Sequence, residues 1–230
     1  MEEMRMAPKR RSAPKTRRRV LEAAAAVYAE GALAAPTDAV WRKAEMTKGA
    51  VYHHFQDKKT LAQSVVDEAQ RHLMLCLKEQ EPGLQTFIDF GLIIGYWYPR
   101  NPFIGALLRL TADIRAADHG VSLPAEEWIE TNQQLLIAAL TRHELHERYC
   151  VGSSGHVMRE IARFAVDQWV GAVATPIGSA EQVEDTILGF YRFTLPTLAN
   201  EAVLPQLDLS PGRAAQLAQA HAFFQDTSAA

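Results

Sequence analysis

Apolar residues recur at helical spacing along most of the chain, and no segment shows the period of two that marks a strand. Prolines and glycines, which tend to end helices, separate several of the helical stretches. The pattern predicts helices at about 16–30, 38–44, 48–54, 58–78, 84–97, 103–116, 125–146, 156–175 and 179–198. The sequence therefore predicts an all-α fold, and it contains no internal repeat.

The third and fourth predicted helices each follow a residue that favours the N-cap position. Thr47 precedes the helix at 48–54 and Asp57 precedes the helix at 58–78, and their side-chain oxygens can accept a backbone N–H. Gly31 is expected to end the first helix at the C′ position, where glycine adopts a left-handed backbone. Two short helices joined by a tight connection indicate a helix-turn-helix, in which the second helix reads DNA.

The helix at 48–54 carries side chains suited to DNA. Lys48 supplies a cation for a phosphate, while Gly49 and Ala50 are small enough to let the N-terminus of the helix approach base edges. The alternative is a helical hairpin in an all-α protein that never contacts nucleic acid. The partner that we expect is double-stranded operator DNA, and the predicted DNA-binding residues are Thr47, Lys48, Gly49, Ala50, Tyr52, His53 and Lys58.

The pattern T-K-G-A-V-Y-H-H-F-x-x-K-x-x-L, from Thr47 to Leu61, resembles the recognition helix of the TetR family of transcriptional repressors. The broader resemblance covers about 16–198 and implies a DNA-binding head on a helical body. Two positions depart from the family: Glu45 stands where glycine is usual, and Trp41 where a small residue is usual. Because glycine tolerates positive φ, Glu45 must either adopt a strained backbone or shift the turn. Its carboxylate also faces DNA phosphates unfavourably.

Charge is distributed unevenly along the chain, whose net charge is −3. Residues 1–60 hold 13 Lys and Arg against 7 Asp and Glu, whereas the remainder holds 11 against 20. This distribution suits a protein that presents one end to DNA. We expect a basic disordered arm at 1–14, a helix-turn-helix domain at 15–60, and a ligand-binding and dimerisation domain at 61–230. The arm either follows the DNA or serves only solubility.

Several other kinds of function find little support in the sequence. Cys76 and Cys150 make neither a disulfide framework nor a metal-ligand spacing, which favours the reducing cytoplasm. His143 and His146 are three residues apart rather than four, so a solvated last helical turn is expected instead of a metal site. No apolar run approaches the ~20 residues that span a membrane. We therefore expect no enzyme activity, cofactor, metal or membrane partner.

Two segments of the body resemble a narrower group within the family. The stretches Asn101–Thr111 (NPFIGALLRLT) and Pro124–Trp128 (PAEEW) are similar to the γ-butyrolactone receptor branch of actinobacteria. Members of that branch sense butyrolactones, butenolides or furans and control antibiotic biosynthesis. A tryptophan on this helix lines their ligand pocket, and Trp128 occupies its place.

The residues themselves also indicate a pocket near Trp128. An indole at a pocket wall offers an apolar plate and one N–H donor, and Gln168 is a polar group on an apolar helix that needs a partner. Alternatively, Trp128 lies in the core with its N–H on a backbone carbonyl, and Gln168 is paired by a second subunit. No cluster of charges lines these helices, which favours a small neutral ligand. The predicted ligand-binding residues are Trp128, Gln168, Thr131, Tyr96 and Phe164.

The last two long helices are richer in hydrophobic residues than one core requires, which predicts a homodimer. The hydrophobic residues that we expect to face outward are Ile161, Val166, Trp169, Val170, Val173, Ile187, Leu188, Phe190, Tyr191 and Leu195. The chain is thus predicted to be a dimeric repressor in which a ligand tilts the helix at 58–78 and displaces the heads. The alternatives are a regulator of the same fold that answers to drugs, and an enzyme or protein-interaction module built on the helical body.

Overall fold

The computed structural model describes residues 13–149, 154–174 and 180–219, and it confirms the all-α prediction for them. Within these residues the only β-type backbone pairing is one isolated antiparallel bridge between Leu145 and Ala199. Short 3-10 helices occupy Ala32–Ala34, Glu147–Tyr149 and Leu204–Gln206. The α-helices are α1 (Ala13–Gly31), α2 (Thr37–Lys43), α3 (Lys48–His54), α4 (Lys58–Lys78), α5 (Leu84–Trp97), α6 (Pro102–Ala112), α7 (Ile114–Asp118), α8 (Ala125–Thr141), α9 (Ser154–Ala174), α10 (Ala180–Leu198) and α11 (Pro211–Gln219).

Both predicted N-caps of the head are confirmed. The hydroxyl oxygen of Thr47 accepts the backbone N–H of Ala50 at 3.3 Å, and a carboxylate oxygen of Asp57 accepts that of Thr60 at 2.6 Å. These bonds satisfy donors that have no partner inside the helix. As a result, α3 and α4 have the bounds that the sequence predicts.

The predicted role of Gly31 is wrong, because Gly31 has φ −122° and the left-handed backbone falls on Ala32, with φ 47°. Glycine at position 31 instead avoids a tight contact. A Cβ atom there would lie 3.0 Å from Cβ of Ala35, which is part of the turn that follows α1. Close approach of two backbone segments, and not positive φ, therefore explains this glycine.

Helix α1 packs against α6 and joins the head to the body. At Gly105 a Cβ atom would lie 3.0 Å from Cβ of Ala29, so the two helices approach closely there. Arg18 on α1 forms an ion pair with Glu68 on α4 at 3.1 Å and lies 5.3 Å from the ring centroid of Phe103 on α6. The expected boundary at residue 60 falls inside the first turn of α4, so the division into domains stays a prediction.

Helix α5 is buried along most of its length and lies against α8, α10 and α11. Tyr191 on α10 donates its hydroxyl hydrogen to the carbonyl oxygen of Phe87 at 2.9 Å. Gly91 leaves room for this ring, since a Cβ atom there would lie 2.7 Å from Cε2 of Tyr191. Helices α5 and α10 thus cross closely at the centre of the body, and this close approach depends on the absence of a side chain at Gly91.

Helix α5 carries a buried charge, Asp89, that the sequence analysis did not single out. Its carboxylate is fully buried and accepts two hydrogen bonds from the guanidinium of Arg213 on α11, at 2.5 and 2.6 Å. Gln85 donates a third at 2.8 Å. The ion pair raises the pKa of Arg213, chiefly through its hydrogen bond to Asp89. The helix near the C-terminus is therefore fastened to the core.

Two helices end earlier than the pattern predicts. Helix α6 stops at Ala112, where Asp113 is extended, and α8 stops at Thr141 instead of continuing to His146. His143 adopts a left-handed backbone with φ 57°, so it does not lie in a last helical turn. Across the described residues no group of three or more potential metal ligands occurs.

Some residues to which the sequence analysis assigned a role lie outside the described ranges. Most of the basic arm (residues 1–12), Cys150 and residues 151–153 lie outside them, and α9, predicted to begin at about residue 156, already includes Ser154 and Gly155. The remaining cysteine, Cys76, is buried, and burial raises its pKa to about 12. Among the described helices, none has the length and apolar character needed to cross a membrane.

The expected set of outward-facing residues on α9 and α10 is partly wrong. Seven of its members are buried within the same chain: Val166, Trp169, Val173, Ile187, Leu188, Tyr191 and Leu195. The faces of α9 and α10 that carry these residues pack against the core, including α5. Other apolar side chains on these helices are exposed instead: Phe193 by 82%, Phe164 by 50% and Val157 by 39%.

Candidate nucleic-acid interface and ligand site

The N-terminus of α3 is open to a partner. Thr47, Lys48 and Gly49 are exposed there, and Ala50 is half-buried. A Cβ atom added at Gly49 would meet no other atom within 4 Å. The fold itself therefore does not need glycine at this position, and the free space lies where a DNA backbone or base edge would approach.

Lys48 lies beside two aromatic rings. Its ammonium nitrogen is 5.9 Å from the ring centroid of Trp41 and 5.8 Å from that of Tyr52, and the rings are 6.4 Å apart. Cation–π contacts at exposed sites contribute roughly 0.5–1 kcal/mol. Trp41, one of the two departures from the family pattern, thus helps to hold the cation near the start of α3, a role that the sequence analysis missed.

The second departure, Glu45, adopts the strained backbone. Its φ is 51°, in the left-handed region that costs a residue with a side chain roughly 1–2 kcal/mol. Its carboxylate forms an ion pair with Arg19 on α1. Since both side chains are largely exposed, the pair contributes little stability, but it places a cation beside the carboxylate.

Lys58 has intramolecular partners. Its ammonium group donates to the carbonyl oxygens of Leu33 and Ala35, both at 2.7 Å, and desolvation lowers its pKa. Two of its three donors therefore tie α4 to the turn after α1, which the sequence did not predict. A phosphate contact through the third donor stays a prediction. His53 is exposed, with its ring centroid 5.4 Å from that of His54.

Trp128 is fully buried where α8 meets α4 and α5. Its indole N–H donates to the side-chain oxygen of Gln70 on α4 at 2.7 Å. Its ring lies 6.0 Å from that of Phe90, which in turn is 5.3 Å from the ring of Trp169. The hydrogen-bond partner of the indole is thus a side chain of α4, and not a backbone carbonyl.

The other predicted ligand-binding residues lie at less buried positions. Gln168 is half-buried, and the ring of Phe164 is half exposed at 5.6 Å from that of Phe190. The hydroxyl of Thr131 donates to a carbonyl one turn earlier, and the guanidinium of Arg100 lies 4.0 Å from the ring centroid of Tyr96. Of the five predicted residues only Trp128 is fully buried, and their ligand role stays a prediction.

Sequence reasoning missed two amide side chains beside Trp128. Asn132, fully buried, donates from its amino group to the carbonyl oxygen of Trp128 at 2.8 Å, and Gln70 accepts from the indole. The spacing of four residues between Trp128 and Asn132 on one helix is a signal that was present in the sequence. Gln70 lies 58 residues from Trp128, so no local pattern points to it.

Comparison with known proteins agrees with this geometry. The family model described as "Bacterial regulatory proteins, tetR family" matches residues 20–65, which span most of α1, all of α2 and α3, and the first turns of α4. Within these residues α2 and α3 form the helix-turn-helix, and the N-terminus of α3 is exposed, as in a DNA-binding regulator. Over these residues the chain is similar to TetR-family regulators.

Relatives extend the similarity beyond the head. The A-factor receptor protein of Streptomyces griseus is 28% identical over 200 residues, which cover 86% of this chain and 69% of that protein. The crystal structure of TylP, a TetR regulator from Streptomyces fradiae, superposes with a TM-score of 0.67 at 28% identity, covering 93% and 92% of the two chains. CprB from Streptomyces coelicolor, in complex with its operator sequence, shares the fold at 20% identity with a TM-score of 0.67, covering 88% and 97%.

Proposed function

We propose that this chain is a homodimeric repressor, acting in the cytoplasm, that binds double-stranded operator DNA and is released by a small neutral autoregulator. The autoregulator is of the butyrolactone, butenolide or furan type, and the target genes belong to antibiotic biosynthesis. The open N-terminus of α3, with Lys48 held beside it, is the observation that carries the DNA-binding part. Similarity to the A-factor receptor protein over 86% of the chain supports the ligand part.

In this proposal α3 enters the major groove. Lys48, Tyr52 and His53 contact phosphates, while Thr47 and the small residues Gly49 and Ala50 bring the start of the helix close to base edges. CprB, which shares the fold, is known in complex with its operator sequence.

The proposed dimer forms through α9 and α10. Phe193 and Phe164 leave apolar surface on these helices, and large exposed apolar patches commonly mark interfaces. A second copy covers this surface through a two-fold axis and forms a four-helix interface. The two heads then lie about one helical turn of DNA apart.

The proposed ligand binds next to Trp128. Because this residue is fully buried against α4, a ligand reaches it only when α8 and α4 separate. Helix α4 also carries Lys58, which is bonded to the head. Movement of α4 therefore changes the position of the head, and a preference of a few kcal/mol for the moved form empties the operator.

The DNA part is tested by measuring operator affinity against salt concentration. The operator is first selected from random duplexes with the full-length protein. Lys48→Ala should weaken binding to every duplex and reduce the slope of log affinity against log salt by about one. Lys78→Ala removes the same charge from the far end of α4 and serves as the matched control. Equal slopes for wild type and Lys48→Ala would show that α3 does not contact phosphate through this residue.

The ligand part is tested by operator release. Synthetic butyrolactones, butenolides and furans are titrated into the preformed complex, beside a panel of antibiotics. Release by the first group at lower concentration supports the proposal. Release by antibiotics alone would identify a regulator that answers to drugs and would overturn the proposed ligand class.

A further inference from the structure

Two amide side chains flank Trp128. Each forms a hydrogen bond to Trp128 through only one of its two polar groups. Gln70 on α4 accepts the indole N–H at 2.7 Å through its side-chain oxygen. Asn132 on α8 donates from its amino group to the carbonyl oxygen of Trp128 at 2.8 Å. Trp128 and Asn132 are both fully buried.

The chemistry of these bonds fixes the orientation of both amides. An indole N–H only donates, so the group of Gln70 that faces it must be the oxygen. A backbone carbonyl only accepts, so the group of Asn132 that faces it must be the amino group. The amino nitrogen of Gln70 and the oxygen of Asn132 remain. Both atoms are buried, and neither has a hydrogen-bond partner within the described part of the chain.

A buried donor and a buried acceptor without partners are costly to keep. Removing an amide from such a position in favour of an apolar side chain is often neutral or stabilising, because the unpaired group loses its hydration without compensation. Here the two amides lie in an aromatic cluster that includes Phe90, where apolar replacements would pack readily. The arrangement therefore suits an occupant that supplies the two missing hydrogen bonds.

We propose that Gln70 and Asn132 are the polar contacts of the ligand site. The ligand then carries an acceptor for the amino group of Gln70 and a donor for the oxygen of Asn132, as a hydroxylated lactone does. This inference rests on the proposed function, because it takes Trp128 as the wall of that site.

The charge around the site favours a neutral molecule. Asp89 is the one fully buried charged side chain among the described residues, and Arg213 already pairs with it. Gln70 and Asn132 offer one donor and one acceptor, and neither carries a charge. A charged ligand would lose its hydration here without an opposite charge in compensation.

The position of Gln70 gives the ligand a direct route to the head. Gln70 lies in the uninterrupted helix α4, twelve residues after Lys58, whose ammonium group is bonded to the turn after α1. A ligand acceptor that draws the amide of Gln70 away from the indole breaks a hydrogen bond between α8 and α4. The contact between Gln70 and Trp128 then serves both to recognise the ligand and to start the release of the operator.

The test uses three synthetic probes on the full-length dimer bound to its operator: an alkyl γ-butyrolactone with a hydroxymethyl group, the analogue with methyl in its place, and the tetrahydrofuran analogue without the carbonyl. Wild type should be released by the first probe at a concentration about tenfold lower than by either analogue, as expected for one buried hydrogen bond. Asn132→Leu should lose the preference for the hydroxyl and keep that for the carbonyl. Gln70→Met should do the reverse.

A matched control is available on the same helix. Thr141→Val removes a side-chain hydrogen bond to the carbonyl of Ile137, which resembles the bond from Asn132 to Trp128, but at an exposed position. It should keep both preferences. If wild type is released by the lactone while the Asn132 and Gln70 variants also keep both preferences, the two amides do not contact the ligand, although the proposed function stands.

A second measurement decides the matter without a ligand. The carbonyl of Trp128 keeps its backbone bond within α8, so Asn132→Leu removes an unpaired oxygen and leaves no new one. Its melting temperature should equal or exceed that of wild type. A clearly lower value would mean that a buried water pairs this amide and that it serves the fold, which overturns the inference. If no probe releases wild type, the proposed ligand class fails, and this melting comparison alone supports or rejects the site.

Discussion

The DNA-binding head and the aromatic centre of the body position their polar groups in opposite ways. In the head, Thr47 caps a helix by bonding to Ala50, three residues away, and the surface beyond is open. In the body, Trp128 bonds to Gln70 across 58 residues, and Asp89 bonds to Arg213 across 124. Local bonds thus shape the exposed site, and long-range bonds shape the buried one.

This difference implies different behaviour when a partner arrives. The head is already in a form that a groove can receive, so binding requires little change within α3. The body closes around Trp128, so the proposed ligand would have to separate helices before it gains any contact. Variants in the two regions should therefore alter different measurements, and four predictions test that separation.

The largest effect is expected from a matched pair of glycine variants. Gly49→Leu should lower operator affinity at least about 100-fold, since the added side chain occupies open space that DNA would fill, while the melting temperature stays near that of wild type. Gly91→Leu should instead destabilise the fold by about 1–3 kcal/mol or more, because its Cβ atom meets Tyr191. Affinity and thermal melting are measured for both. A Gly49→Leu protein with normal affinity would contradict the proposed interface.

Lys58→Met should destabilise the head by about 1–3 kcal/mol, because it leaves the carbonyl oxygens of Leu33 and Ala35 without their donor. Chemical denaturation measures this change. Lys59→Met, at an exposed neighbouring position, removes the same charge and should have a smaller effect. Equal stability of the two variants would mean that the ammonium group does not support the turn after α1.

Glu45→Gly should raise stability by about 1 kcal/mol, because glycine adopts φ 51° without strain. It should also strengthen DNA binding, since a carboxylate leaves the phosphate-facing surface. Glu45→Gln separates the two causes: it should strengthen binding without the gain in stability. A Glu45→Gly protein that melts below wild type would show that the pair with Arg19 outweighs the backbone strain.

The smallest effect concerns acid pH and Asp57. The backbone hydrogen bond from Thr60 lowers the pKa of Asp57 below its ordinary value in the folded protein. A carboxylate with a depressed pKa contributes stability above its unfolded pKa and loses it as pH falls through the folded one. Asp57→Asn should therefore show a shallower loss of stability below about pH 4. The bond between Gln70 and Trp128 is neutral and should not change over that range.

The same contrast explains what the sequence could predict. The bounds of α3, α4 and α5 follow from caps, glycines and prolines within a few residues, and the structure confirms them. The left-handed residue after α1 was misplaced, because the need for Gly31 comes from Ala35 in a turn that spacing alone does not reveal. Around these caps and turns the sequence predicted positions to within about a residue, whereas the ends of α6 and α8 were predicted too late.

Contacts between residues far apart in the sequence could not be predicted in the same way. Hydrophobic periodicity shows that Tyr191 and Trp169 belong to amphipathic helices, but it does not show which face meets α5 and which meets solvent. Both were therefore predicted to face outward, while the exposed Phe193 was overlooked. Gln70 was missed because its partner lies 58 residues away. Of the five residues predicted to bind ligand, Trp128 is the one that is fully buried, and both its chemistry and the resemblance to a family pointed to it.

The pair between Asp89 and Arg213 also bears on how alleles of this gene should be interpreted. A nonsense or frameshift mutation shortly before codon 213 leaves every helix from α1 to α10 encoded, yet it deletes the guanidinium that neutralises a fully buried carboxylate. Breaking a buried pair in this way costs about 3–5 kcal/mol, a large share of the stability of a typical domain. Such an allele should behave as a loss-of-function mutation, although the head and the helices from α1 to α10 are still encoded.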